Sequence, residues 1–290
     1  MLKKLFCCFA LSVFSMSAFF TGPSFARQDN SLQIKGSDTM VNLVQAWSEA
    51  FMTKNQDAFV AVTGGGSGTG LAALINGSCD IAASSREIKK EEIGLAEKKN
   101  IHPKEFKVAL DGLAVAVHPE NPISKLSLGQ LADIFTGKIK NWNEVGGKNS
   151  KIVILSREVN SGTHVYFKEH VLRKGDPKSK EEFSPEALLM PSSQAIVDEI
   201  AQNPSAIGYF GMGYIGKKNK ALSVAKDASG EAVYPTVDNV VSNKYPISRP
   251  LFVYTNGEPQ GKVKAFVDFI LSDDGQAIVP QIDFVPIKKK

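Results

Sequence analysis

The sequence predicts an α/β protein built on mainly parallel strands. Two observations carry this prediction. Short apolar runs alternate with amphipathic or polar helical segments along most of the chain. Small-residue turns rich in glycine, serine and threonine stand where several of those runs end and a helix begins.

In order, residues 32–35 read as a short strand. Beyond Gly36-Ser37-Asp38, the side chains of Val41, Val44, Trp47, Phe51 and Met52 fall on one helical face. Residues 59–62 form a strand that runs into a glycine-rich turn, and Leu71, Leu74 and Ile75 mark a short helix stopped by Gly77. Residues 81–83 are short and apolar, the pattern of a strand covered on both faces. A charged, exposed helix follows over 89–99 and a long apolar strand over 107–118. Further along, 128–135, 163–172, 194–202 and 262–271 read as helices, and 152–155, 207–210 and 251–254 as strands. Two features favour two lobes over one: the unusual length of the strand at 108–117, and an apolar strand arriving late, after Pro246 and Pro250. Two strands crossing between lobes would make a hinge.

The chain has 290 residues, and its start reads as an address. Lys3 and Lys4 precede an apolar run over 5–20, then Gly22-Pro23 and the small-residue site Ser24-Phe25-Ala26, so residues 1–26 are expected to be a cleaved signal peptide. The run is short of the roughly 20 residues a membrane span needs. Cys7 and Cys8 lie too early to be acylated at the cleavage point. Cleavage leaves 264 residues and lowers the formal charge from +4 to +2, a balance that implies no nucleic acid or other polyanionic partner. Cys79 is then the lone cysteine, so no intramolecular disulfide forms, and its apolar neighbours make it a small core residue. Lys288, Lys289 and Lys290 read as a solvated tail.

The chemistry sits in three turns: Gly36-Ser37-Asp38-Thr39, Gly64-Gly65-Gly66-Ser67-Gly68-Thr69-Gly70, and Ser161-Gly162-Thr163. Each places small hydroxyl residues at a helix start, where backbone N–H groups are unpaired and the dipole is positive. Such a start favours an anion. For any one turn, ordinary N-capping accounts for the residues. A cap needs one side chain, however, and not five glycines in seven residues. Two arginines accompany the turns beyond strand ends, Arg86 after Ser84-Ser85 and Arg157 four residues before Ser161. That is where open α/β sheets bind ligands, and a guanidinium grips a tetrahedral oxyanion through paired hydrogen bonds. A salt bridge to a neighbouring acid such as Glu87 is the other use of Arg86.

Other chemistries do not fit. The glycine turn lacks the lysine of a P-loop and the spacing of a dinucleotide site. Thr69 stands where a nucleophile elbow needs glycine, and Ser223-Val224-Ala225-Lys226 lacks the companion motifs of its catalytic pattern. His102, His118, His164 and His170 have no metal-ligand spacing, and His164 reads as a packed helix residue.

At these residues the chain resembles the substrate-binding proteins of phosphate ABC transporters. The matching blocks are the first two turns, Asp80-Ile81-Ala82-Ala83-Ser84-Ser85-Arg86, Ser156-Arg157-Glu158-Val159-Asn160-Ser161-Gly162-Thr163, Ala206-Ile207-Gly208-Tyr209 and Tyr245-Pro246-Ile247-Ser248-Arg249-Pro250. They fall in family order and span nearly all of the chain beyond the leader. The resemblance implies a two-lobed periplasmic binding protein of type II with two hinge crossover strands. Lobe I would comprise 31–114 plus 247–290, and lobe II 115–246. It implies a periplasmic monomer, not an enzyme and without cofactor or metal, that captures inorganic phosphate between the lobes and delivers it to a membrane permease. The implied phosphate ligands are Ser37, Thr39, Ser67, Ser85, Arg86, Arg157, Ser161, Gly162 and Thr163.

One departure matters. Some members place an aspartate after the Ala-Ser step to accept the phosphate's proton, and here that step continues Ser85-Arg86. Phosphate near neutral pH keeps at least one O–H and sulfate keeps none, so a buried carboxylate welcomes one and rejects the other. Asp38 is the expected acceptor, with Glu158 as the alternative. Receptors for sulfate or molybdate, and a secreted phosphatase on the same fold, are the competing functions. The carboxylate argues against the first pair. The missing metal pair and activated nucleophile argue against the second.

Overall fold

The computed structural model describes residues 31–287. The expected leader, with Cys7 and Cys8, and the tail Lys288 to Lys290 lie outside the described residues. The first lobe opens with β1 (Ser31–Gly36), α1 (Val41–Lys54), β2 (Phe59–Thr63), α2 (Ser67–Ile75), β3 (Ile81–Ser84) and α3 (Lys90–Glu97). Strand β4 (Pro103–Val117) then leaves it. The second lobe holds β5 (Lys125–Ser127), α4 (Leu128–Phe135), β6 (Val153–Arg157), α5 (Gly162–Phe167), β7 (Leu188–Met190), α6 (Ser193–Gln202), β8 (Ala206–Gly211), β9 (Lys220–Ala221), β10 (Ser223–Ala225) and α7 (Val237–Val241). Strand β11 (Ser248–Asn256) returns, and α8 (Gly261–Leu271) and α9 (Asp273–Ile278) close the fold.

The main sheet runs β2-β1-β3-β11-β4-β8-β6-β7. Its two wings are parallel: β1 pairs with β2 and β3, and β6 with β7 and β8. The middle departs from the mainly parallel expectation, because β11 is antiparallel to both β3 and β4, and β4 to β8. The reason is connectivity. The chain crosses outward on β4 and comes back on β11, so these neighbours must oppose each other.

Both long strands feed two cores. On β4, Val108 and Ala109 belong to a core with Leu32, Ile34, Trp47 and Phe51, whereas Leu113, Val115 and Val117 belong to one with Phe135, Phe167 and Tyr209. Around β11 the same division falls between Ile247 and Leu251. Helix α1 buries Leu43, Val44, Trp47, Ser48 and Phe51, while Val41 and Met52 are only half-covered. Phe51 meets Phe266 of α8 edge-on at 5.3 Å, and Trp47 Nε1 donates to the carbonyl of Gly275 at 2.8 Å. Each of these large apolar side chains contributes about 1.5–3 kcal/mol when fully buried. The helix expected over 163–172 is α5 continued by a π-helical turn, Lys168–Leu172. Cys79 is buried against Gly70, and burial pushes its thiol up to about 11, so it stays a protonated core residue. Among the described residues, no helix is long and apolar enough to cross a membrane.

Candidate functional site

The two lobes meet where β1, α2, β3 and α5 present their small-residue ends. Gly36 ends β1 with φ of +142°, and a Cβ there would lie 2.1 Å from the carbonyl oxygen of Ala83. That close approach lets Ser37 N donate to Ala83 O at 2.8 Å and fixes Ser37 above the sheet. Helix α2 reaches the same place because Gly70 packs on β1, where a Cβ would stand 2.5 Å from Gly36 Cα.

Capping explains only one of the three turns. Ser161 caps α5, accepting from the N–H groups of Thr163 and His164 at 3.2 and 3.5 Å. Ser37 makes no capping bond, and α2 starts after Gly66 with Ser67 already inside the helix. Ser67 Oγ instead accepts from Ser85 N at 3.0 Å and lies 3.3 Å from Ser85 Oγ. From the second lobe, Gly162 packs so close that a Cβ would lie 2.3 Å from Ser67 Oγ and 2.7 Å from Ser85 Oγ. Thr39 Oγ1 and Thr163 Oγ1 share a hydrogen bond of 2.7 Å across the same junction. Ser37, Thr39, Ser67, Ser85, Ser161, Gly162 and Thr163 are therefore gathered at one place, all buried.

The arginines are placed differently from the expectation of two anion grips. Arg86 forms a two-pronged pair with Glu92 of α3, at 2.8 and 2.7 Å, and also donates to Glu87 O. Burial raises the Glu92 carboxyl, but the hydrogen bond and charge of Arg86 with the Lys89 N–H outweigh it and hold it below the usual range. Arg157 spends its guanidinium on Met190 O, Ser193 Oγ and Pro191 O, and stands 3.2 Å from Asp38 Oδ2. Asp38 also accepts from Ser193 N at 2.7 Å, so its carboxylate turns to the second lobe. Glu158 is exposed at the surface.

The charge at the floor of the junction comes from the hinge, and the sequence reading did not single it out. Arg249 of β11 donates through Nε and Nη2 to Asp111 Oδ2 of β4 at 3.1 and 2.9 Å, and Nη2 also reaches Thr163 Oγ1 at 3.0 Å. Asp111 Oδ1 takes the Met212 N–H at 3.1 Å. Both side chains are buried, at 2% and 0% exposure. Burial pushes the Asp111 carboxyl up, against the opposing pull of Arg249. Among the described residues, four buried side-chain polar atoms have no partner, and three of them are donors at or beside this junction: Ser37 Oγ, Arg249 Nη1 and Arg86 Nε. A cavity of about 390 Å³ borders Ser85 and Arg249 and is walled by Lys89, Tyr166 and His170. A signal for the pair was available. Asp111 is the one charged residue between Val108 and Val117, and a charge in such a run is rarely buried unpaired.

Behind α5, His164 Nδ1 lies 2.8 Å from Arg157 O and 3.2 Å from Ser156 Oγ, and Ser156 Oγ is 2.7 Å from Tyr209 OH. Burial lowers the His164 pKa to about 4, so the ring is neutral and its Nδ1–H is the donor to Arg157 O. No His/Cys/Asp/Glu cluster able to hold a metal occurs among the described residues. The arrangement as a whole is a buried junction of hydroxyls and N–H groups floored by a carboxylate-backed guanidinium, suited to a small oxyanion.

Comparison with known proteins agrees with this chemistry. The model of the PBP superfamily domain matches residues 23–274. The phosphate-binding protein PstS of Bacillus subtilis is 36% identical over 263 residues, covering 90% of this chain and 82% of the relative. Its namesake in Staphylococcus aureus (strain USA300) is 36% identical over 250 residues, covering 83% and 74%. A Clostridium perfringens chain assigned as a phosphate ABC transporter substrate-binding protein, crystallised with bound phosphate, superposes with a TM-score of 0.79 at 34% identity, covering 89% of this chain and all of the other. An ABC-type phosphate transport receptor from Vibrio cholerae gives a TM-score of 0.68 at 28% identity, covering 88% and 99%.

Proposed function

The chain belongs to the phosphate-binding PstS family of the PBP superfamily, and on that premise we propose that it captures inorganic phosphate between two lobes and delivers it to an ABC permease for import. The lobes divide at residues 114 and 246, and the leader takes the protein across the cytoplasmic membrane to work as a periplasmic monomer. No covalent chemistry is needed; lobe closure is the event a permease reads.

The observation that carries the reading is the pair of buried, unpaired donors, Ser37 Oγ and Arg249 Nη1, at the junction where Ser67, Ser85, Thr39, Thr163 and Gly162 converge. A buried polar group without a partner costs about 1–3 kcal/mol. A bound oxyanion relieves both at once. Ser37, Thr39, Ser67, Ser85, Gly162, Thr163 and Arg249 are the direct ligands in this proposal, and Ser161 orients the α5 start. Arg157, paired with Asp38, acts in support, as does Arg86, whose Nη groups hold Glu92 while its Nε stays an unpaired donor.

The phosphate proton goes to Asp111. Asp38 has its Oδ2 committed to Arg157 and Ser193, and Glu158 faces solvent, whereas Asp111 Oδ1 takes a single N–H and is backed by the arginine that grips the anion. Calorimetry on protein stripped of bound anion tests the whole reading. One-to-one phosphate binding is expected, with sulfate silent and p-nitrophenyl phosphate left intact. Turnover of the ester would make the protein an enzyme, and preference for sulfate would remove Asp111 from its role.

A further inference from the structure

We propose that Asp38 and Asn160 form a latch between the lobes that sets how long an anion is held but not which anion is chosen. The inference rests on the anion-receptor reading for its ligand, and on contacts between protein atoms alone for its mechanism.

Asp38 follows β1 in the first lobe, yet its partners come from three separate elements of the second. Arg157 Nη1 at the end of β6 lies 3.2 Å from Oδ2. The N–H of Ser193, the first residue of α6, donates to the same oxygen at 2.7 Å. Tyr214, in the turn after β8, donates its hydroxyl to the Asp38 carbonyl at 3.0 Å. No Asp38 contact joins the ring of hydroxyls around Ser67 and Thr163. Arg157 depends on the latch in turn, because burial lowers its pKa and Asp38 is the carboxylate that supports its charge.

Asn160 works in the opposite direction, from the second lobe into the first. Its Nδ2 donates to Gly65 O at 2.9 Å and to Thr69 Oγ1 at 3.1 Å, and its backbone carbonyl accepts from Gly68 N at 2.9 Å. Gly66 has φ of +98°, and a Cβ on it would stand 2.9 Å from Asn160 O; one on Gly68 would stand 3.2 Å away. Two glycines of the turn are thus shaped by the asparagine that clasps them. The Gly68 N–H, at the start of α2, is satisfied by the facing lobe and not by ligand.

These contacts join protein atoms alone, so they favour the closed lobes with or without an anion and add the same free energy for every anion that permits closure. Apparent affinity scales with the fraction of closed-competent protein. Loosening the latch therefore weakens all such ligands by one factor and leaves their ratio alone.

The test uses Asp38→Asn and Asn160→Ala in the full-length mature protein. Phosphate and arsenate affinities are measured by calorimetry with sulfate alongside, phosphate release by stopped flow, and the radius of gyration by small-angle scattering with and without phosphate. Both variants are expected to bind phosphate and arsenate about tenfold more weakly, by the same factor, with release faster by most of that factor. The ligand-free radius of gyration rises above wild type, while the phosphate-saturated radius does not change. Gain of sulfate binding in Asp38→Asn, or unequal losses for phosphate and arsenate, would place Asp38 in the anion cradle and overturn the latch. So would ligand-free radii identical to wild type in both variants. The scattering comparison needs no ligand, so it stands even if the phosphate reading fails.

Discussion

Asp111 Oδ2 takes two hydrogen bonds from one guanidinium, the Nε and Nη2 of Arg249, and leaves Nη1 of that arginine buried and unpaired. The carboxylate fixes the plane of the guanidinium, and Thr163 steadies it from the other lobe at 3.0 Å. A lysine would keep the charge but lose the planar fork. Arg249→Lys is expected to weaken phosphate binding by about a hundredfold, or about 2.7 kcal/mol, in calorimetric titration.

Asp111→Asn separates two roles of the carboxylate. It leaves the Arg249 charge buried without its partner, which costs about 3–5 kcal/mol of stability and is read from the urea midpoint. It also replaces an acceptor by a group that can donate. Sulfate, which the intact carboxylate is expected to exclude, is then expected to bind measurably. A variant that loses stability yet still excludes sulfate would leave Asp111 as a scaffold for Arg249 and nothing more.

Much of this was legible in the residues, for reasons that differ by element. The wings of the sheet announce themselves because short apolar strands and amphipathic helices are local patterns, and β1, α1, β2, α2 and β3 fall close to their expected places. The antiparallel middle is not local: it depends on β11 meeting β4 across more than a hundred residues of chain. The hydroxyl turns were readable from glycine and serine content. What each arginine does was not, since Arg86 could be resolved between anion and Glu92 only by knowing that α3 folds back beside it. The partners of Asp38 were hidden for the same reason, Ser193 and Tyr214 lying 155 and 176 residues away.

Pairing has a consequence for salt. Arg86, Arg157 and Arg249 each face a carboxylate, so the buried guanidiniums around the site are compensated pairs. Screening weakens exposed, unpaired charge far more than buried pairs. The phosphate dissociation constant is expected to change by less than about threefold between about 50 and 500 mM sodium chloride. A rise of more than tenfold would mean that one of the pairs opens to take the anion.

Gly162 offers a steric probe that leaves every charge in place. Its missing side chain lets α5 close onto Ser67 and Ser85, and a Cβ would stand 2.3 and 2.7 Å from their hydroxyl oxygens. Contacts that short force the lobes apart at the point where the ligands converge. Gly162→Ala is expected to lose at least about tenfold in phosphate affinity, while its denaturation midpoint stays near wild type because neither lobe core is touched.

His164 ties acid stability to the architecture behind the site. Its ring is buried against Phe183 with centroids 4.5 Å apart, and burial lowers its pKa from 6.5 to about 4. The unfolded chain therefore binds a proton in the window between those values that the folded chain refuses. Stability is complete above the unfolded pKa and is lost as pH falls from about 6.5 toward 4. The loss amounts to about 3 kcal/mol by pH 4, at about 1.36 kcal/mol per pKa unit. Nδ1 already carries the proton it donates to Arg157 O, so the proton taken up in acid goes to Nε2 and puts a buried charge on the ring. His164→Phe removes the titration, so its urea midpoint is expected to fall less steeply than that of wild type between pH 6.5 and 4, although it starts lower for want of the bond to Arg157 O. Parallel pH profiles for the two proteins would show that another group carries the acid loss.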